Sequence, residues 1–187
     1  TGFYFDDQKA IKAGAGHDGF MYIGEPMTEK FSKVRQTGEA ISIQLVLDDG
    51  SVGYGDCAAV QYSGAGGRDP LFLASEFIPF IEENIVPLLI GEDVSTFRNL
   101  AEKYDRMEVN GKRLHTAIRY GLTQALLNAC ATANHLTMAE VIRKEYGITE
   151  TEYKPVAIFA QSGDDRYINA DKMIIKEADV LPHALIN

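Results

Sequence analysis

Two polar side chains stand where an alternating β/α pattern leaves its reactive edge. Val156-Ala-Ile-Phe-Ala160 is a short apolar run ending on the amide Gln161, and Ala178-Asp-Val-Leu-Pro182 is a second run ending on His183. Between them lie the turn Ser162-Gly163-Asp164 and a helix-compatible stretch from Asp164 to Ile175. Strand, turn, helix, strand predicts the opening of a parallel β/α fold, in which residues just past the strand ends carry the chemistry. An amide at such a place can both donate and accept hydrogen bonds. The pattern begins and then stops at Asn187, as expected of the front half of an enzyme.

Other residues that could do chemistry have plainer readings. Gly14-Ala-Gly16-His-Asp-Gly19 has dinucleotide-loop spacing, but Phe20-Met-Tyr-Ile-Gly24-Glu-Pro26 cannot open the helix such a loop requires. Ser63-Gly-Ala-Gly-Gly67-Arg68 lacks the Gly-Lys-Ser/Thr ending of a phosphate loop. Both loops read instead as small-residue segments able to approach a ligand or close over a cavity. His17, His115 and His135 lack metal-ligand spacing and read as structural or surface residues. Glu82-Glu83, Glu92-Asp93 and Glu150 with Glu152 read as solvated faces or caps, and Asp164-Asp165 as helix caps.

The elements that position these residues follow from periodicity. Ile41, Ile43, Leu45 and Leu47 alternate with Ser42, Gln44 and Val46, a half-buried strand that turns at Asp48-Asp49-Gly50 and returns through Val52 to Val60. From Asp69 to about Tyr146 the pattern is helical. Asp69 is the expected cap with Pro70 at the first helical position, and Pro79 and Pro87 predict a kink or two shorter helices. Leu114, Ala117, Ile118, Gly121, Leu122, Ala125, Leu126 and Ala129 share one face of a helix predicted over 113–133. A short helix, Met138 to Glu145, stops at Gly147. The polar stretch before Pro155 separates a first domain, 1–154, from a second, 155–187.

Composition narrows the function. The chain has 187 residues and a net charge of −9, with a sequence pI near 4.9, which argues against nucleic acid, whose phosphates need a basic face. No apolar run approaches the roughly 20 residues that span a bilayer, and no secretory signal precedes the first strand. Cys57 and Cys130 are far apart and outside any CxxC, as expected of free buried thiols in a reducing cytoplasm. With no initiating Met ahead of Phe3-Tyr4-Phe5, the natural N-terminus is expected to lie upstream.

Longer motifs then carry a resemblance. The runs Phe3-Tyr-Phe-Asp-Asp7, Gly14-Ala-Gly-His-Asp-Gly-Phe20, Gly55-Asp-Cys-Ala-Ala-Val-Gln61, Leu114-His-Thr-Ala117, Gln161-Ser-Gly-Asp-Asp-Arg-Tyr167 and Asp179-Val-Leu-Pro-His183 resemble the methylaspartate ammonia-lyase family of the enolase superfamily. The likeness extends over the whole chain. It implies an α+β capping domain, an antiparallel β-meander plus helices, followed by the first elements of a (β/α)8 TIM-type barrel. It also implies a cytoplasmic homodimer of glutamate fermentation that reversibly converts threo-3-methylaspartate to mesaconate and ammonia, with Mg²⁺ and a monovalent cation such as K⁺. Removing the C3 proton, α to a carboxylate, creates an enolate whose charge a divalent metal and hydrogen-bond donors stabilise. The principal lysine base and the metal carboxylates of the family come from later barrel strands, outside this chain. Carried over, His183 is the catalytic residue opposite that lysine, Gln161 and Gln61 bind substrate, the latter at its amino end, and Phe159 lies near its methyl group. The two Gly-rich loops become a lid. Alternatives left open are a non-catalytic fragment, an anion-binding module, and a superfamily dehydratase acting on another acid.

Overall fold

The computed structural model describes residues 3–150, 152, 154–160 and 166–180. In chain order its elements are β1 (Tyr4–Asp6), α1 (Gln8–Lys12), β2 (Gly16–Asp18), β3 (Met21–Ile23), β4 (Arg35–Thr37), β5 (Ala40–Val46), β6 (Val52–Ala58), α2 (Ala74–Asn84), α3 (Val86–Leu89), α4 (Arg98–Asp105), β7 (Glu108–Val109), β8 (Lys112–Arg113), α5 (Thr116–Ala133), α6 (Met138–Glu145) and α7 (Arg166–Ile175). They fall into two units, Thr1–Ile148 and Thr149–Asn187.

The named strands pair antiparallel, β1 with β4, β2 with β3, β5 with β6 and β7 with β8. The antiparallel strands and helices expected from the resemblance are present, with the strands in two-stranded ladders among the described residues. The reason is long-range: β1 takes its partner from β4, beyond the β2–β3 hairpin, and its Asp6 N–H donates to the Gln61 carbonyl at 2.8 Å. In β5–β6 the sequence alternation holds, with Ile41, Ile43 and Leu45 half-buried and Ser42, Gln44 and Val46 exposed. Gly50 closes that hairpin at φ +82°, a left-handed conformation that costs glycine little.

Helix α5 lies directly on β6, and the small residues of both make this possible. A Cβ on Gly55 would run into the Gly121 carbonyl, and one on Gly53 would sit 2.6 Å from the Ala129 methyl. The close approach lets Ile118, Leu122 and Leu126 leave solvent completely or nearly so, each worth about 1.5–3 kcal/mol of burial. The Gln124 and Asn128 side chains of α5 accept from the backbone N–H groups of Asp56 (3.1 Å) and Tyr54 (2.9 Å), so outward amides of β6 are satisfied.

Two helix starts differ from the periodic reading. α5 begins at Thr116 rather than 113, because Lys112–Arg113 pair with Glu108–Val109 across Asn110-Gly111, both at positive φ (+53° and +72°). Asp69 caps no helix at Pro70. The chain runs irregularly to α2 at Ala74, with Leu71 and Phe72 both buried, and the Asp69 carboxylate instead accepts from the Thr116 N–H, at the head of α5, at 2.6 Å. The two prolines do give two helices: Pro79 is retained within α2, the break falls at the buried Ile85, and Pro87 sits in the first turn of α3. A Thr137–Glu140 capping box opens α6, and Gly147 follows its end at φ +65°.

In the second unit, α7 connects Phe159 to Val180, which form a parallel bridge. The Ala160 N–H donates to the Val180 carbonyl (3.2 Å) and the Val180 N–H to the Ile158 carbonyl (3.1 Å). Among the described residues no helix is long and apolar enough to cross a membrane.

Candidate functional site

Around Gln61 a buried charge meets the surface. Asp6, at the end of β1, is fully buried. Its Oδ1 accepts from Arg35 Nε and its Oδ2 from Arg35 Nη2, both at 2.7 Å, a two-pronged pairing that suits the planar guanidinium. Gln61 Nε2 donates to the same Oδ2 at 2.5 Å, while the residue itself stays exposed. Among the described residues the Gln61 Oε1 has no hydrogen-bond partner. The bond to Asp6 raises the already high pKa of Arg35, against the opposing effect of burial.

Arg35 also fastens the β2–β3 hairpin. Its Nη1 donates to the Phe20 carbonyl at 2.7 Å, and its guanidinium carbon lies 4.3 Å from the Phe20 ring centre and 4.7 Å from that of Tyr22. Next along the chain, Asp7 gathers five donors: the N–H groups of Lys9, Ala10, Met27 and Thr28 and the Thr28 hydroxyl. Burial pushes the Asp7 carboxyl up, but these bonds, led by the Thr28 hydroxyl, outweigh it and hold its pKa below the ordinary value. The β2–β3 hairpin, through Arg35, and the Met27–Thr28 stretch are thus tied to two adjacent carboxylates at the end of β1 and the start of α1.

The Ser63–Arg68 loop lines a recess of about 180 Å³ with Asp69, His115 and Thr116. His115 Nδ1 accepts from the Ala117 N–H (3.0 Å) and its Nε2 faces the Pro70 carbonyl (3.0 Å), which together select the neutral Nε2–H tautomer. Burial raises the Asp69 carboxyl, but hydrogen bonding to Thr116, with the charges of its neighbours, brings it net below the usual range. These groups cap α5 and are committed to that task. Cys57 is no nucleophile either, since burial, with the nearby Asp56 charge, pushes its thiol up to about 12.

Of the residues singled out in the sequence, Gln61 stands on the first unit in the network just described. Phe159 is exposed in the second unit, in its bridge to Val180. Gln161 and His183 lie outside the described residues. Among the described residues, no three His, Cys, Asp or Glu side chains gather where a metal ion could bind. Asp6 and Arg35 escaped sequence reasoning, since neither lies in a chemical motif. The available signal was an acidic pair, Asp6-Asp7, closing a run of aromatics.

A family model described as methylaspartate ammonia-lyase N-terminus matches residues 1–147, and one described as methylaspartate ammonia-lyase C-terminus matches 150–187. The chain belongs to the methylaspartate ammonia-lyase family. The methylaspartate ammonia-lyase of Clostridium tetanomorphum is 68% identical over the full chain, and that of Citrobacter amalonaticus 58%. The chain spans 45% of the length of each. The crystal structure of the C. tetanomorphum β-methylaspartase Mg complex superimposes with a TM-score of 0.94, covering 100% of this chain and 45% of that one. The C. amalonaticus methylaspartate ammonia-lyase containing (2S,3S)-3-methylaspartic acid gives 0.93 at 58% identity, covering 98% and 44%. The α5–β6 layer and the Gln61 network both lie within the stretch that the N-terminal family model matches.

Proposed function

We propose that this segment, within a polypeptide of its relatives' length, forms the first part of a methylaspartate ammonia-lyase that reversibly eliminates ammonia from threo-3-methylaspartate to give mesaconate. What carries the reading is the family match along both stretches of the chain, with 68% identity over all of it to a lyase of that activity name. On this reading residues 1–154 are an enolase-type capping domain and 155–187 the opening of a TIM-type barrel. The Mg complex of the C. tetanomorphum relative supports Mg²⁺ as the metal, and on this reading its ligands are carboxylates of later barrel strands. A monovalent cation such as K⁺, a homodimeric assembly and a cytoplasmic setting complete the proposal.

In the reaction the C3–H proton passes to a base, the C2–N bond breaks, and the electron pair from C3 forms the C2=C3 double bond. The principal base is a lysine from a later strand. His183 hydrogen-bonds the carboxylate next to C3 as negative charge develops, and takes the proton itself from the epimeric substrate. Gln161 orients the substrate between its carboxylate and its ammonium. The outward Oε1 of Gln61 accepts from the ammonium, and Phe159 packs near the methyl group. The loops at 14–20 and 63–68 act as a lid that excludes water.

The test is mesaconate absorbance with a full-length enzyme carrying this segment, and with residues 1–187 alone. Turnover of 3-methylaspartate by the first and none by the second is expected. Turnover by the isolated segment would place the whole site within these residues and overturn the proposed division.

A further inference from the structure

An isolated amide can present either end to a ligand, because its oxygen and nitrogen ends have nearly the same shape. At Gln61 that freedom is removed from below. Asp6 receives three donor groups on its two oxygens and has only acceptors to offer, so Gln61 must turn its NH₂ toward it. The end left facing outward is Oε1. Arg35 fixes the carboxylate plane from the far side, and is itself fixed by the Phe20 carbonyl and by the Phe20 and Tyr22 rings. A second tether, Asp6 N–H to Gln61 carbonyl, sets the backbone at the same place.

We propose that the Asp6–Arg35 pair is a positioning device that locks the Gln61 amide with its oxygen outward, so that this corner of the site accepts an ammonium and disfavours a ligand presenting only acceptors. This rests on the substrate-binding role proposed above for Gln61. Neither Asp6 nor Arg35 touches the substrate. They decide the polarity of the residue that does.

The test uses a full-length family enzyme carrying this segment, with 3-methylaspartate as the probe and wild-type turnover as the control. Asp6→Asn lets the introduced amide offer a donor to Gln61, which then turns its own NH₂ outward. KM should rise about tenfold or more, as when a hydrogen bond to a charged group is lost, with a smaller change in kcat. Combining Asp6→Asn with Gln61→Glu restores an outward acceptor over an inward donor, and should return KM to within about threefold of wild type, well under the single-variant loss. A purely structural role for Asp6 predicts no such rescue. An Asp6→Asn enzyme with wild-type KM, or a double variant no better than the single one, would overturn the proposal. Should Asp6→Asn not fold, Gln61→Glu alone decides, because residue 61 is exposed. A carboxylate at position 61 has no donor to offer Asp6, so it is pushed out of place and the KM of the variant should rise above wild type. If residue 61 acted independently of Asp6, the new carboxylate would instead attract the ammonium more strongly, and a KM at or below wild type would sink the idea. A wild-type enzyme that does not turn over 3-methylaspartate would remove the parent reading, an outcome distinct from all of these.

Discussion

The two units of the chain treat their apolar side chains in opposite ways. In the first, Phe5, Phe72, Tyr104, Ile118 and Leu122 are wholly out of solvent, and one cluster links strands, loops and helices. In the second, Tyr167 is 89% exposed, Val156 85% and Ile175 80%, and among the described residues Phe159 and Val180 meet in an isolated bridge. The first unit thus brings its own partners for its apolar surface. The second displays apolar side chains on its bridge segments and on α7, as β/α units do before neighbouring strands and helices cover them. The C. tetanomorphum relative is more than twice as long as this chain, which leaves room for such neighbours. The comparison separates two kinds of importance: stability concentrates before residue 148, whereas the proposed acid–base chemistry belongs to the stretch with little core of its own.

The sharpest way to break that separation is His183→Ala in a full-length enzyme. Loss of one group that stabilises developing charge should lower kcat by about 10²–10³-fold, with the thermal midpoint nearly unchanged. The ratio of rates on the two substrate epimers should also shift, and unchanged rates on both would remove the assignment. The converse variant is Gly55→Ala, where the new methyl meets backbone atoms of α5. Unfolding of residues 1–187 in urea should show a loss of about 3 kcal/mol, at the upper end for an overpacked site. A loss under about 1 kcal/mol would mean that helix and strand can separate without penalty.

Next in size is Asp7→Asn. The folded pKa of Asp7 lies below its unfolded value, so its contribution is fully present above the unfolded pKa, near 3.9, and is lost as pH falls toward and through the folded pKa. At pH 7 the variant should be less stable by about 2 kcal/mol, the scale of a lost cap plus charge-assisted bonds. Stability curves of wild type and variant should converge below about pH 4, and parallel curves would refute the account. The smallest effect is expected from Ile174→Ser with Ile175→Ser. Both positions are exposed, so the stability of residues 1–187 should move by no more than about 0.5 kcal/mol. The same pair in the full-length enzyme should cost more than about 1.5 kcal/mol if later barrel elements cover that face.

Legibility in the sequence followed the range of the interactions. The buried face of α5 and the alternation of β5 could be read because each is a local period repeated over several residues. α1 went unread, since five residues are too few for a period, although Asp7 stood before it as a cap. The hairpin at Asn110-Gly111 carried its signal in two residues, yet the stronger helical pattern following it absorbed them. Asp69 looked like a cap beside its own Pro70, while its partner, Thr116, is far along the chain. The same limit applies to the site. Gln61 emerged only through family resemblance, and the Asp6–Arg35 support beneath it depends on residues brought together across the fold.

One detail of α5 reaches beyond its own packing. The outward N–H groups of Tyr54 and Asp56 sit on a strand rim where an intruding strand from another molecule could dock. Gln124 and Asn128 already occupy those positions. Self-association of the isolated segment should therefore start elsewhere, at the exposed bridge of Phe159 and Val180, and solubility should improve when that stretch is removed rather than when the β6 rim is altered.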